Sequence, residues 1–126
     1  MPKHVPHGPE FEPGPYPFSQ VVEANGFVFL AGQVGDAPGS HGAVRGGIEA
    51  ETRQMLENVG RLLDAAGLAY ADVVKCTVYL RDFDDFAAMN SVYREFFPTD
   101  PPTRATVGVT ALAADYAVEI EVMAVR

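Results

Sequence analysis

The last quarter of the sequence places one arginine and two glutamates where they could act on the same small molecule. Arg104 stands in the run Pro102 to Val109, and Glu119 and Glu121 stand in the run Ala117 to Val122. Both runs alternate with a period of two, which predicts two strands joined by a short turn as a C-terminal hairpin. A guanidinium and a carboxylate on facing strands could then bracket a small molecule.

The same spacing has a more ordinary interpretation. Opposite charges on facing strands often form a surface ion pair, which contributes about 0 to 1 kcal/mol to stability and implies no function. On spacing alone, Arg104 and Glu119 fit such a surface pair better than a binding site.

The other residue types that do chemistry give weaker signals. Cys76 is the only cysteine and lies in an apolar run, which indicates a packed core thiol rather than a nucleophile. His4 and His7 could share a metal only from a helix, and the prolines between Met1 and Pro17 exclude a helix there. We therefore expect neither a metal site nor a disulfide.

The composition is that of one globular domain. The chain has 126 residues, 48% hydrophobic and 21% charged, enough to bury a core without a disulfide or a structural metal. We expect a single domain over residues 1–126, with residues 1–17 as an extended, proline-rich arm. Seventeen acidic and nine basic side chains give a net charge of −8, which argues against a nucleic-acid partner. Without a long apolar run or a signal-peptide pattern, we expect a cytoplasmic protein with no membrane partner.

A turn dipeptide predicts the first two strands. Asn25-Gly26 lies between the apolar runs 18–24 and 26–32, and this dipeptide is the strongest short signal for a β-hairpin. The second strand ends at Ala31-Gly32-Gln33, where a glycine inside a strand pattern predicts a bulge or a close approach of the backbone to another group.

A loop and a long helix follow. Residues 35–47 are rich in glycine and proline and predict a mobile loop, in which residues 43–45 could form a short strand. Apolar residues recur at helical spacing from Ile48 to Ala66, which predicts an amphipathic helix that ends at Gly67.

A third strand is predicted at 72–80, and Asp82 is a candidate cap for a second helix that Pro98 ends. The order strand, strand, helix, strand, helix, strand, strand predicts an α+β or mixed α/β fold with both helices on one face of a single sheet. The other face is too apolar to be wetted all over, so we expect a second copy of the chain to cover it. Its residues, or their alternates along the strands, are Val73, Tyr79, Val107 and Val109.

Several stretches resemble one known family. The segment Pro102-Thr103-Arg104-Ala105, with Leu112 and Val118-Glu119-Ile120, resembles the diagnostic motif of the Rid family, the reactive intermediate deaminases also known as YjgF-like proteins. Pro17-Phe18-Ser19-Gln20 is similar to the family's Pro-Tyr-Ser-Gln, and Ala31-Gly32-Gln33 to its Ser-Gly-Gln. Similar residues also occur at Glu57-Asn58, Asp85-Phe86, Asn90 and Phe96-Phe97-Pro98.

The resemblance implies a chorismate-mutase-like α+β fold assembled as a homotrimer around a central barrel, with three clefts between subunits. It also implies hydrolysis of enamines and 2-imino acids to 2-keto acids and ammonia, without a metal or cofactor. By the same resemblance, Arg104 holds the substrate carboxylate and Glu119 orients or deprotonates the attacking water. The substrate-binding positions that it implies are Phe18, Ala31, Gly32, Asn90 and Thr106.

Three positions depart from the family pattern. Phe18 stands where active members usually have a tyrosine, Ala31 replaces a serine, and Thr106 replaces a frequent cysteine. We expect a more apolar pocket that favours a bulkier imino acid or catalyses weakly. The alternatives are a non-catalytic trimer that binds small carboxylates as a sensor or chaperone partner and, as a distant third, an endoribonuclease, which the net charge argues against.

Overall fold

The first hairpin forms where Asn25 and Gly26 reverse the chain. In the computed structural model, which describes residues 2–126, strand β1 (Val21–Ala24) pairs antiparallel with β2 (Phe27–Val34). Asn25 and Gly26 have φ angles of 53° and 79°. Positive φ at both positions is the signature of a type I′ turn, whose twist matches that of the flanking strands. The predicted first hairpin is confirmed.

Both predicted helices form. Helix α1 spans Gly47–Ala65, and Gly67, with φ of 78°, ends it in the left-handed conformation that favours glycine. Strand β3 (Val73–Leu80) follows, and the carboxylate of Asp82 then accepts a hydrogen bond from the backbone N–H of Asp84 at 2.9 Å.

That capped turn leads directly into helix α2 (Phe86–Phe96). The guanidinium of Arg53 on α1 donates to the carboxylate of Glu95 on α2 at 2.9 and 3.1 Å, so an exposed ion pair joins the two helices.

The last two strands are β4 (Thr103–Gly108) and β5 (Val118–Val125), and they are not neighbours. The sheet order is β1-β2-β5-β3-β4, with β4 parallel to β3 and β5 antiparallel to both β2 and β3. The prediction of a C-terminal hairpin is therefore wrong.

Chain connectivity explains this arrangement. Strand β4 follows β3 through helix α2, and a strand–helix–strand connection brings the chain back in the parallel direction beside its starting strand. Strand β4 thus takes the sheet edge, and β5 lies on the other side of β3. The residues of β5 that face the helices, Val118, Ile120, Val122 and Ala124, are all buried, as suits a central strand.

Both helices pack on one face of the sheet, as predicted. The core between them contains the large apolar side chains of the inner strands and both helices, among them Val28, Leu30, Met55, Leu56, Val59, Leu63, Cys76, Val78, Leu80, Met89, Ile120 and Val122. The fold class is α+β with a mixed five-stranded sheet.

We call the opposite side of the sheet the open face. It carries large apolar side chains in contact with solvent, including Phe27 and Phe29 at 44% exposure and Val107 at 41%. Tyr79 lies there too, but Val73 does not, because a register shift between Val73 and Lys75 turns Val73 into the core.

Hydrogen bonds tie down the loop that follows β2. The backbone N–H of Gly42 donates to Tyr116 Oη at 2.9 Å, and that of Ala43 donates to Asp115 Oδ1 at 3.0 Å. The short strand predicted at 43–45 does not form.

The N-terminal arm is extended, with one turn of 3-10 helix at Pro9–Phe11 and a two-residue bridge from His4 to Glu23. None of the helices within residues 2–126 is long and apolar enough to cross a membrane.

Candidate functional site

The predicted site residues lie in two separate clefts. Arg104 and Asn90 line one cleft, between β4 and α2. Four more predicted residues line a second cleft beside the open face: Phe18, Ala31, Gly32 and Glu119. Thr106 lies two residues beyond Arg104 and therefore on the same face of β4. We name the two clefts after their charged residues.

The Arg104 cleft is built on the helix-covered face of the sheet. Arg104 pairs in register with Cys76, whose side chain is fully buried in the core, so the guanidinium points toward α2. Its Cζ lies 4.6 Å from the centroid of the Tyr93 ring and 5.7 Å from that of Phe86. Cation–π attraction to these two rings orients the guanidinium without using its hydrogen-bond donors.

Among residues 2–126, no carboxylate competes with a ligand for the donors of Arg104. Within residues 2–126, no carboxylate lies within salt-bridge distance of this arginine, since the two ion pairs found there are Arg53 with Glu95 and Arg126 with Glu23. The cleft has a volume of about 510 Å³, and its other lining residues are Asn90, Tyr93, Arg94, Phe97, Pro98, Pro101 and Pro102. Two guanidinium groups and an amide, with no acid among them, form a site for an anion of amino-acid size.

The groups beneath Arg104 are neutral. Burial raises the pKa of the Cys76 thiol, and burial likewise raises the pKa of the Tyr93 hydroxyl far above its ordinary value. Tyr93 Oη is buried and has no hydrogen-bond partner of good geometry within the described chain. Cys76 is a packed core thiol, as predicted, and is not placed to act as a nucleophile.

The Glu119 cleft lies beside the open face. Glu119 stands on β5, in register with Val34 of β2 on one side and Tyr79 of β3 on the other. The cleft has a volume of about 500 Å³, and its lining is mostly apolar: Phe18, Ser19, Val22, Phe29, Leu30, Ala31, Gly32 and Glu119. The carboxylate of Glu119 is the one charged group in this lining.

A bulge in β2 shapes this cleft. Between the pairs Leu30–Val122 and Gln33–Ile120, β2 has one residue more than β5. Gly32 lies in the bulge directly against Glu119, and a Cβ atom at this position would overlap Glu119 Oε2. The sequence predicted a bulge or a close approach of the backbone here, and the structure has both.

Glu119 is placed to accept a proton. Burial raises the pKa of its carboxyl above the ordinary glutamate value, and the nearby charge of Glu121 raises it further. Glu121 itself accepts a hydrogen bond from Tyr79 Oη. A carboxylate with raised proton affinity is a better general base than an ordinary glutamate.

Within one chain, Arg104 and Glu119 do not meet. Arg104 points to the helix-covered face of β4, Glu119 lies on the open face of β5, and β3 separates the two strands. The prediction of a cross-strand ion pair between Arg104 and Glu119 is therefore wrong. For the same reason, the two residues do not bracket a molecule within a single chain.

Sequence reasoning missed the aromatic support of the arginine. Phe86 and Tyr93 are apolar positions of the second predicted helix, and nothing in their pattern alone indicates an arginine partner. Their spacing of seven residues puts both on one helix face, but contact with Arg104 depends on the parallel placement of β4, which the sequence pattern did not reveal.

Comparison with known sequences finds one matching family and relatives of similar length. The family described as endoribonuclease L-PSP matches residues 12–126. A RutC family protein of Pyrococcus horikoshii is 46% identical over 110 residues, which are 87% of this chain and 87% of that protein. The 2-iminobutanoate/2-iminopropanoate deaminase of Homo sapiens is 39% identical over 110 residues, which are 87% of this chain and 80% of that protein.

Solved structures have the same fold. Yeast Mmf1 superposes with a TM-score of 0.90 at 32% identity, covering 99% of both chains. Escherichia coli TdcF, solved with bound serine, superposes with a TM-score of 0.87 at 34% identity, covering 98% of both chains. The YjgF gene product of E. coli gives 0.84 at 36% identity, over 93% of this chain and 94% of that one.

Proposed function

Since the chain belongs to the Rid, or YjgF-like, family, we propose that it hydrolyses 2-imino acids and their enamine tautomers to 2-keto acids and ammonia. The main support is the Arg104 cleft, which presents an arginine without a carboxylate partner in a chain of net charge −8. Relatives named 2-iminobutanoate/2-iminopropanoate deaminase are the second support.

Arg104 binds the substrate carboxylate. The planar fork of a guanidinium matches the two oxygens of a carboxylate, and cation–π contact with the Tyr93 and Phe86 rings holds the group in place. Asn90, in the same cleft, supplies an amide for the remaining polar contacts of the ligand.

Glu119 activates water. As the water oxygen forms a bond to the imine carbon, Glu119 takes one water proton, and the electron pair of the C=N bond moves to the nitrogen, which takes a proton from solvent. Glu119 then returns its proton to the nitrogen of the carbinolamine. The hydroxyl loses its proton to solvent as the C–N bond breaks, so that ammonia leaves and the C=O bond of the 2-keto acid forms. Free imines already hydrolyse in water, so orientation and electrostatics need supply only a few kcal/mol.

Two copies of the chain complete one site. The open face exposes Phe18, Phe27 and Phe29, an apolar surface suited to burial against another copy. The Glu119 cleft lies at this face, and the Arg104 cleft lies beside the edge strand β4. Assembly as a homotrimer, the state that the family resemblance implies, joins the Arg104 cleft of one subunit to the Glu119 cleft of the next.

The substrate has an apolar side chain. Phe18, Val22, Phe29 and Leu30 line the Glu119 cleft, and Phe18 and Ala31 supply no hydroxyl. A polar substrate side chain would lose hydrogen bonds to water in such a lining, whereas an alkyl or aryl side chain gains contact area.

A coupled assay tests the activity. An amino acid oxidase generates 2-imino acids of increasing size from alanine, leucine and phenylalanine, and the release of ammonia or keto acid is followed. We expect the protein to accelerate release, and Arg104→Ala to lower kcat/KM by about 100-fold because it removes a charge-assisted pair with the substrate.

Arg53→Ala serves as the matched control, since it removes an exposed arginine that pairs with Glu95 across the helices. It should leave the rate unchanged. Acceleration that survives Arg104→Ala would contradict the proposed role, and no acceleration of any imine would contradict the proposed reaction.

A binding protein for small carboxylates is the second candidate. TdcF, 34% identical to this chain, was solved with bound serine, so a relative of the same fold holds an amino acid. If this candidate is correct, calorimetry with 2-ketobutyrate will show binding that depends on Arg104, no imine will be turned over, and Glu119→Ala will change neither result.

The matching family is described as endoribonuclease L-PSP, but a net charge of −8 makes an RNA substrate a poor match for this chain. RNA cleavage by highly purified protein that disappears with Arg104→Ala would favour that activity.

A further inference from the structure

We propose that Gln33 is a positioning residue for the Glu119 cleft, whose side-chain amide holds the β2 bulge in place so that Gly32 and Ala31 keep their positions beside the Glu119 carboxylate. The kinetic part of this inference rests on the proposed function. Its structural part can be tested without substrate.

The bulge is what makes Gln33 available for this role. Phe29 lies on the open face, and without a bulge every second residue after it would lie there too, including Gln33. The extra residue reverses the alternation, so Gln33 pairs with Ile120, whose side chain is in the core, and points to the helix-covered face. Gln33 therefore lies on the opposite side of the sheet from the carboxylate that it positions.

The side-chain amide of Gln33 donates hydrogen bonds to the bulge and to the chain segment beside it. Gln33 Nε2 donates to Ala31 O at 3.1 Å and to Gln20 Oε1 at 3.2 Å. The backbone N–H of Ala31 donates to Gln20 O at 2.8 Å. Because a backbone carbonyl only accepts hydrogen bonds, the bond to Ala31 fixes Gln33 with its NH₂ toward the bulge, and Gln20 must then present its oxygen.

These bonds compensate for the cost of the bulge. An extra residue leaves a strand with unpaired backbone groups, and a carbonyl removed from water without a partner is unfavourable. Gln33 satisfies the carbonyl of Ala31 from within the same segment. It also ties that segment to Gln20, which directly follows Phe18 and Ser19 of the cleft lining.

The residues after Gln33 are held independently. Asn58 on α1 donates through Nδ2 to Val34 O at 2.7 Å and to Asp36 O at 2.9 Å. The end of β2 is thus fixed to the helix whatever occupies position 33. Loss of the Gln33 amide is therefore expected to loosen the bulge locally and to leave the fold intact.

The decisive comparison is between Gln33→Met and Gln20→Glu. Methionine has nearly the length of glutamine but no donor, so both bonds are lost without a change in charge. Glutamate at position 20 still offers an oxygen to Gln33 Nε2, so the bridge is retained. A second variant, Gln33→Asn, has an amide on a side chain one methylene shorter, which cannot reach both acceptors. It is used in place of Gln33→Met if that variant does not fold.

The readout without substrate is the titration of Glu119, followed by NMR in protein with ¹³C-labelled glutamate and assigned by its absence in Glu119→Gln. Burial is the main cause of the raised pKa of Glu119. A loosened bulge admits water, so the pKa should fall toward the ordinary value in Gln33→Met and Gln33→Asn. It should not fall in Gln20→Glu, because the bridge is retained and the added negative charge acts in the opposite direction. A titration unchanged in both Gln33 variants would overturn the inference, even if their melting temperatures fall.

With an imine substrate, Gln33→Met should lower kcat by about tenfold, shift the acid limb of the rate profile to lower pH, and leave KM nearly unchanged. A fall in kcat with no shift of that limb would contradict the positioning role. If the wild-type protein turns over no imine, the proposed function fails, and the NMR titration decides this inference alone.

Discussion

The two clefts use opposite means to keep one charge ready for a ligand. The Arg104 cleft lies on the helix-covered face, where the rings of Tyr93 and Phe86 hold a guanidinium by cation–π contact. The Glu119 cleft lies beside the open face, where a backbone bulge and an apolar lining surround a carboxylate and raise its proton affinity. Within residues 2–126, neither Arg104 nor Glu119 forms an ion pair with a side chain of opposite charge.

Their separation within one chain has a chemical consequence. An arginine and a glutamate placed side by side would neutralise each other, and a substrate carboxylate would then have to displace the glutamate. With the two charges on opposite faces, the guanidinium keeps its donors and the carboxylate keeps its raised pKa. The proposed site, shared between two copies, would bring the two charges together with space for substrate between them.

Among the variants that test this comparison of the two clefts, Glu119→Gln is expected to lower kcat the most. Removing a general base typically costs 10²- to 10⁴-fold, so kcat should fall about 10³-fold while the affinity for a 2-keto acid, held by Arg104, is retained. In the wild type the basic form is the active one, so the rate should fall as the pH drops through the raised pKa of Glu119, and this limb should be absent in the variant. Stopped-flow assays across pH, with calorimetry of 2-ketobutyrate binding, make the measurement.

The melting temperature of Glu119→Gln distinguishes a catalytic role of Glu119 from a structural role. A carboxyl whose pKa is raised in the folded state favours folding while protonated, and that contribution is lost as the pH rises through the folded pKa. At neutral pH, Glu119→Gln should therefore melt at the same temperature as the wild type or slightly higher. An equal loss of ligand binding, or a lower melting temperature, would show that Glu119 supports the structure rather than the reaction.

An intermediate effect is expected from Gly32→Ala. The backbone of Gly32 does not need glycine for its φ angle, but the added Cβ would overlap Glu119 Oε2, so the carboxylate must move. Displacement of a catalytic group by about 1 Å costs up to about 100-fold in rate, and we expect a 10- to 100-fold loss of kcat/KM.

Gly39→Ala is a useful comparison, because it adds the same methyl group to an exposed loop glycine with open space around it. Its positive φ of 78° makes the change locally strained, so a small loss of stability with normal activity is expected there. Equal activity in Gly32→Ala and the wild type would show that the bulge does not position the glutamate.

The smallest effect is expected from Phe18→Tyr, which restores a hydroxyl to the Glu119 cleft. One hydrogen bond contributes about 0.5 to 1.5 kcal/mol, so kcat/KM for the imine derived from alanine should rise about 2- to 10-fold. The imines derived from leucine and phenylalanine should gain less. A uniform rise for all sizes, or none, would show that Phe18 does not set the preference for side-chain size.

Local patterns in the sequence predicted the local structure. Asn25-Gly26 predicted the first hairpin, helical spacing predicted α1 up to Gly67, and a glycine in a strand predicted the bulge at Gly32. Each of these features depends on the conformation of a few consecutive residues, which sequence pattern reports directly.

Strand pairing could not be predicted in the same way. The alternation around Arg104 and Glu119 shows that both lie on strands, but it does not say which strands are neighbours or which face is covered. The helix between Leu80 and Thr103 allows β4 to run parallel to β3, but it does not say that the two strands are neighbours. That placement decides the face of Arg104, and with it the separation of the two clefts.

The most direct test of a site shared between chains is complementation between two inactive variants. Arg104→Ala and Glu119→Gln are purified separately, mixed in equal amounts, dissociated and reassembled, and assayed for imine hydrolysis. If each site takes its arginine from one chain and its glutamate from another, random reassembly should restore about a quarter of the wild-type activity. Activity that stays at the level of the separate variants, in assemblies shown by native mass spectrometry to contain both chains, would contradict the account.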